Sequence, residues 1–182
     1  DMTMNNSTNF FTCPNVPFTL QELHAFDGWY WTWEDDGTNH EAYGQNISLE
    51  MTEAGPHPVT VIAYNNHGCY DTITRTVTVY PYAYPVASTS IESVCIDYPT
   101  NLSIVPTGPV TISSYFWTAN PAYAWQPGQQ TQASPTVTPQ VTTTFKCRIT
   151  DNHGCLDSAT VEVNVRPRLA GNILGDPGFQ CT

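Results

Sequence analysis

The feature that most restricts what this chain can fold into is an internal repeat. An offset of 86 residues carries Asn66-His67-Gly68-Cys69-Tyr70-Asp71-Thr72 onto Asn152-His153-Gly154-Cys155-Leu156-Asp157-Ser158. The same offset carries Trp31 onto Trp117, Tyr30 onto Phe116, Val77 onto Val163, Val79 onto Val165 and Cys95 onto Cys181. Self-similarity at a fixed period means one structural unit used more than once. The sequence therefore predicts units at 1–81 and 82–167, with 168–182 beginning a third, and it reads as a piece of a longer array.

Each unit reads as short strands between turns. Val59 to Tyr64, Phe145 to Thr150 and Ala159 to Val165 alternate apolar and polar residues, the period of a strand with one face on a core. Asn-His-Gly between two such runs is hairpin chemistry, because Gly supplies the positive φ of a tight turn. No segment carries a capped 3.6-residue period; Leu20 to Phe26 comes nearest and is short. Several strands per unit with turn signals between them predict a β-sandwich. The Pro-bounded stretch Pro81-Tyr82-Ala83-Tyr84-Pro85 predicts a semi-rigid spacer.

Charge narrows the partners. Sixteen acidic residues against five basic ones leave a formal charge of −11, which repels polyphosphate and anionic membrane surfaces. Nucleic acid is thus not an expected partner, and with no run of 18 apolar residues neither is membrane insertion.

Six cysteines in an acidic chain with a single lysine, Lys146, suggest an oxidising, extracytoplasmic setting. Each unit has one cysteine near its start, Cys13 or Cys95, and one after the Asn-His-Gly turn, Cys69 or Cys155. The expected bridges are Cys13–Cys69 and Cys95–Cys155, each stabilising by about 4 kcal/mol on the chain-entropy estimate. Cys147 falls on the offset position of Val61 and alternates with Phe145 and Ile149, so it is expected as a buried free thiol. Cys181 is expected to have its partner in the third unit. His67 and His153 lack the spacing of zinc ligands and are expected as exposed turn residues.

Two phrases carry a resemblance. Ser134-Pro135-Thr136-Val137-Thr138-Pro139-Gln140-Val141-Thr142-Thr143-Thr144-Phe145, followed by Ile149-Thr150-Asp151-Asn152-His153-Gly154-Cys155, resembles the closing pattern of tandem PKD-like and Ig-like repeats in Bacteroidota surface adhesins and gliding-motility proteins. Ser93-Val94-Cys95-Ile96-Asp97 is similar to their opening phrase, with Asp97 in place of glycine. Trp31-Thr32-Trp33-Glu34-Asp35-Asp36-Gly37 is similar to a PKD strand and turn, with Glu34-Asp35 where Phe-Gly is usual. The resemblance implies an all-β chain of two tandem Ig-like/PKD-like β-sandwich domains with the start of a third. It also implies an extracellular or cell-surface location reached by type IX secretion. Asp71-Thr72-Ile73 and Asp157-Ser158-Ala159 fit the Asp-(Ser/Thr)-aliphatic pattern at which such exported proteins are O-glycosylated, making Thr72 and Ser158 candidate glycosylation sites.

Other residue groups suggest chemistry directly. Trp29, Trp31 and Trp33 share one strand face; Trp31 recurs as Trp117 and is expected in the core, whereas Trp33 has no repeated counterpart and is a candidate glycan contact. Tyr123 and Trp125, in a Pro- and Gln-rich stretch, are candidate glycan contacts as well. Glu34, Asp35, Asp36 and Glu41 crowd around Gly37, where they make either a solvated acidic turn or part of a calcium site. No catalytic constellation stands out, and no cofactor other than Ca2+ is suggested. The expected function is a non-enzymatic stalk, fibre or adhesin segment, whose partners are neighbouring repeats, surface glycans or other cell-surface proteins. The alternatives are a glycan-binding accessory region of a secreted polysaccharide-degrading enzyme and a self-assembling filament subunit.

Overall fold

The computed structural model describes residues 10–167; Cys181 and the expected third repeat at 168–182 lie outside the described residues. The described chain is all-β apart from one 3-10 turn at Gln129–Thr131. The described residues divide into two compact units at the boundary between Tyr82 and Ala83.

In the first unit, β1 (Phe10–Thr12), β7 (Tyr70–Val79), β6 (Gly55–Tyr64), β3 (Gly28–Asp35) and β4 (Thr38–Tyr43) form one sheet in that order. A second, two-stranded sheet pairs β2 (Phe18–Gln21) with β5 (Asn46–Leu49). Asp36 and Gly37 join β3 to β4 with φ of 51° and 68°, the double positive φ of a two-residue hairpin turn. The core holds Leu20, Trp31, Ile47, Leu49, Met51, Val59, Val61 and Val77. In the second unit, β11 (Ile112–Asn120), β13 (Thr143–Asp151), β14 (Leu156–Arg166) and β9 (Ser93–Cys95) make one sheet. The other contains β12 (Thr136–Val137), β10 (Thr100–Pro106) and β8 (Pro85–Thr89).

The repeat offset reappears as strand register. Trp31 stands opposite Val61, which stands opposite Ile73; Trp117 stands opposite Cys147, which stands opposite Ala159. Both indoles are fully buried, so each N–H needs a partner inside the protein. Trp31 Nε1 donates to the Gly44 carbonyl at 2.8 Å and Trp117 Nε1 to that of Gln132 at 2.9 Å. Cys147 is free and buried, standing in for the valine of the first unit as a small apolar side chain.

The hairpin turn is also built twice from the same bonds. The Asn65 side-chain oxygen accepts from the backbone N–H groups of His67 and Cys69, both at 3.0 Å. The Asp151 carboxylate accepts from those of His153 and Cys155, at 2.8 and 2.9 Å. Gly68 and Gly154 take φ of 78° and 86° one residue before each cysteine.

Strand direction overturns the expected bridges. β1 runs parallel to β7 with Thr12 opposite Val79, so Cys13 lies at the far end of a strand that begins just after Cys69. Ten residues of strand separate those ends by about 33 Å. Likewise β9 runs parallel to β14 with Cys95 opposite Arg166, which puts Cys155 about 35 Å away along the strand. A disulfide needs Cα atoms within about 7 Å. Cys13–Cys69 and Cys95–Cys155 are therefore excluded. Cys13, Cys95 and Cys155 are each disulfide-bonded in other pairings, while Cys69 is a free thiol exposed on the hairpin.

Asp35 fastens the segment after β5. Its buried carboxylate accepts from the Thr52 N–H and hydroxyl, both at 2.8 Å, and from the Glu53 N–H at 2.9 Å. Burial alone pushes this carboxyl up. The Glu53 and Thr52 hydrogen bonds, with nearby His57, outweigh it and hold the carboxyl below its ordinary value. His57 is itself buried, with Nδ1 2.9 Å from the Glu34 carbonyl and Nε2 2.7 Å from that of Glu53.

Two measurements check this account. Asp35→Asn replaces an acceptor-only group by one whose amide opposes the Thr52 and Glu53 donors, and it should cost about 1.5–3 kcal/mol in denaturant unfolding. Because the folded carboxyl sits below its unfolded value, its contribution is complete above the unfolded value near 3.8 and fades as pH falls through the lower folded one. The wild-type advantage over Asp35→Asn should shrink in that acid window and hold steady near neutrality. For the thiols, burial pushes Cys147 up to about 11. Iodoacetamide should label Cys69 in the native protein and reach Cys147 only after unfolding; native labelling of Cys147 at a similar rate would contradict its burial.

Candidate functional site

The two units differ most after the tryptophan strand. In the first, β3 turns into β4. In the second, Pro121 and Pro127 interrupt the equivalent stretch, since proline lacks the N–H a ladder requires. The chain instead forms a loop through Tyr123 and Trp125 to the 3-10 turn, with Gly128 at φ 78° before it. Gln130 Nε2 donates to the Trp117 carbonyl at 2.8 Å, so a side chain satisfies backbone of β11 on this stretch.

This loop borders an open groove of about 470 Å³. Tyr123, Gln126, Gln129, Thr136, Thr138 and Gln140 are its principal polar lining, and every lining residue is uncharged. The rim is cross-tied: the Tyr123 hydroxyl accepts from the Thr138 N–H at 2.9 Å, and Gln129 Oε1 accepts from the Thr136 N–H at 2.9 Å. The Thr136 hydroxyl donates to Asn101 Oδ1 at 2.8 Å. Tyr123 meets Trp125 edge-on at 5.1 Å and Phe145 at 5.6 Å between ring centroids. Both loop aromatics are half-buried against the second core, so Trp125 anchors the loop rather than lining the groove. The sequence marks this stretch as Gln-rich without giving the glutamines a role; the signal for Gln126 and Gln129 is the uncharged run Gln126-Pro127-Gly128-Gln129-Gln130-Thr131-Gln132.

The other sequence candidates lie elsewhere. Trp33 is partly buried against the first core and stacks on His40, ring centroids 5.4 Å apart and planes within 13°. Exposed tyrosines of that unit, Tyr43, Tyr64 and Tyr70, lie on the opposite face of the sheet. Tyr30 stands opposite Tyr43 and Tyr64 opposite Tyr70, with Tyr64 laid over Gly28, where any side chain would collide with its ring. Tyr30 donates its hydroxyl to Glu41 at 2.9 Å.

The acidic residues do not converge. Asp35 is buried and committed to Thr52 and Glu53, neighbouring Glu34 and Asp36 are exposed, and Glu41 binds Tyr30. Among the described residues no group of three or more His, Cys, Asp or Glu side chains is placed to hold a metal ion. Glu22, fully buried, accepts from the His24 N–H at 2.8 Å and lies 2.9 Å from His24 Nδ1.

Thr72 and Ser158 occupy equivalent exposed positions on β7 and β14. In each case the preceding aspartate accepts from the backbone N–H of the hydroxyl residue, at 2.8 and 2.7 Å. Their strands are paired on the far side only near the other end, at Val77–Val79 and Asn164–Arg166.

No protein-family model matches the sequence, and no curated protein sequence matches it. Among solved structures the chain is similar to the fibronectin(III)-like modules of Clostridium thermocellum CbhA, at 8% identity over 94% of this chain and 97% of that one, with a TM-score of 0.39. It is similar to murine CEACAM1b at 11% identity over 91% and 100% of the two chains, TM-score 0.37. The insect immune protein hemolin matches at 16% identity over 88% of this chain and 45% of its own, TM-score 0.41. At these identities the likeness is one of all-β architecture alone.

Proposed function

We propose that these residues form a non-enzymatic stalk or adhesin segment of an exported surface protein, with repeated sandwiches carrying tension between a surface and a distal contact. One observation carries the reading. In each unit a short strand near the start runs parallel to the closing strand, β1 with β7 and β9 with β14. Extra backbone bonds flank the pairs, from Tyr80 N–H to Thr12 at 2.9 Å, Asn164 N–H to Glu92 at 2.9 Å and Ile96 N–H to Arg166 at 3.1 Å. When the ends of a unit are pulled apart, parallel strands of this kind slide in opposite directions. Their hydrogen bonds are then loaded together instead of opening one at a time.

Disulfide-bonded Cys13, Cys95 and Cys155 support an oxidising, extracellular setting. Bacteroidota origin, gliding and type IX export rest on the sequence phrases. Thr72 and Ser158 are proposed to carry O-glycans, which would cover the stretches of β7 and β14 whose outer edge is unpaired.

Single-molecule pulling tests the mechanical reading. Ile96→Pro removes one clamp donor, at about 1 kcal/mol in equilibrium stability. It should lower the unfolding force of the second unit and leave the first unchanged. Equal forces in variant and wild type, or wild-type units that yield without a resolved force peak, would reject the clamp. Intact-mass and peptide analysis of the protein from its native host should place sugar on the Thr72 and Ser158 peptides; unmodified peptides there would remove the glycosylation proposal.

A further inference from the structure

We infer that the groove of the second unit is a binding site for a neutral oligosaccharide. This goes beyond the stalk reading and does not depend on it.

The groove is built before any ligand arrives. Tyr123 is fixed through Thr138, Gln129 through Thr136, and Thr136 through Asn101, so the rim loses little freedom on binding. What remains open is specific. The side chains of Gln126 and Gln140 and the Thr138 hydroxyl line the groove without a hydrogen bond among the described residues, and Gln129 keeps its amide NH2 unused. A glutamine amide offers two donors and an acceptor, and a threonine hydroxyl both donates and accepts. Adjacent sugar hydroxyls, each donor and acceptor at once, match that set. Tyr123 adds an aromatic wall against which the C–H face of a pyranose can lie.

The same lining discriminates against other ligands. A carboxylate, phosphate or ammonium would lose hydration there without meeting an opposite charge. A purely apolar ligand would strand the amides of Gln126 and Gln140. The groove volume, about 470 Å³, lies in the range of small-ligand sites. The first unit places β4 where this loop lies, so its amide resonances serve as an internal control.

The test is an amide-resolved NMR titration of the 182-residue chain. The probes are neutral gluco-, manno- and xylo-hexasaccharides, a polyuronate oligosaccharide and a proline-rich peptide. At least one neutral saccharide should shift the side-chain amides of Gln126, Gln129 and Gln140 saturably, leaving the first unit silent. Gln126→Ala combined with Gln140→Ala touches exposed side chains; it should weaken that binding about tenfold or more with an unchanged melting temperature. The assignment is overturned if no neutral saccharide shifts these groups, or if only the polyuronate or the peptide does. Wild-type affinity in the double variant would overturn it equally.

Discussion

A buried indole with an obligatory N–H partner organises both units. Trp31 and Trp117 lose all solvent contact, and the free-energy cost of an orphaned donor forces a carbonyl to come to each. That carbonyl belongs to Gly44 in one unit and Gln132 in the other. The segment after the tryptophan strand must therefore return over the sheet edge in both units, whatever its secondary structure. A six-residue strand, β4, meets the requirement in the first unit. A proline-interrupted loop meets it in the second, and the groove exists because that loop is not a strand.

The units divide along the same line. What the units share is backbone architecture: parallel pairing near the start, antiparallel hairpins through the core, and a turn stapled by Asn65 or Asp151. What they do not share is surface chemistry. The first unit exposes tyrosines on its outer sheet face, whereas the second opens a groove lined by amides and hydroxyls. Repetition thus keeps the strand pairing and the turn and leaves edge loops free to differ, as loops on a fixed scaffold do.

Much of this was legible in the residues. The 86-residue offset, the alternation along β6, β13 and β14, and the burial of Trp31 and Trp117 follow from period and residue type. The burial of Cys147 does too, because its offset partner Val61 reports the same core position. The turn was legible only in part. Its sequence signature is Asn-His-Gly-Cys, yet the side chain that shapes it comes one residue earlier, as Asn65 or Asp151. Trp33, without a repeated counterpart, reads as a surface residue in the sequence, and the structure packs it partly against the core and on His40.

The cysteine pairing shows where one-dimensional information stops. Equal placement in each unit made Cys13 and Cys69, or Cys95 and Cys155, natural partners, but spacing is silent on strand direction. Parallel pairing puts them at opposite ends of a strand. The sequence by itself determined the all-β class, the repeating unit and which side chains face a core, because periodicity and hydrophobicity are local properties. Only the tertiary structure decided which cysteines lie too far apart to pair, that Asp35 is a staple, and that separated glutamines line one groove. Those depend on distances between residues far apart in the chain, which strand order and direction set and composition does not.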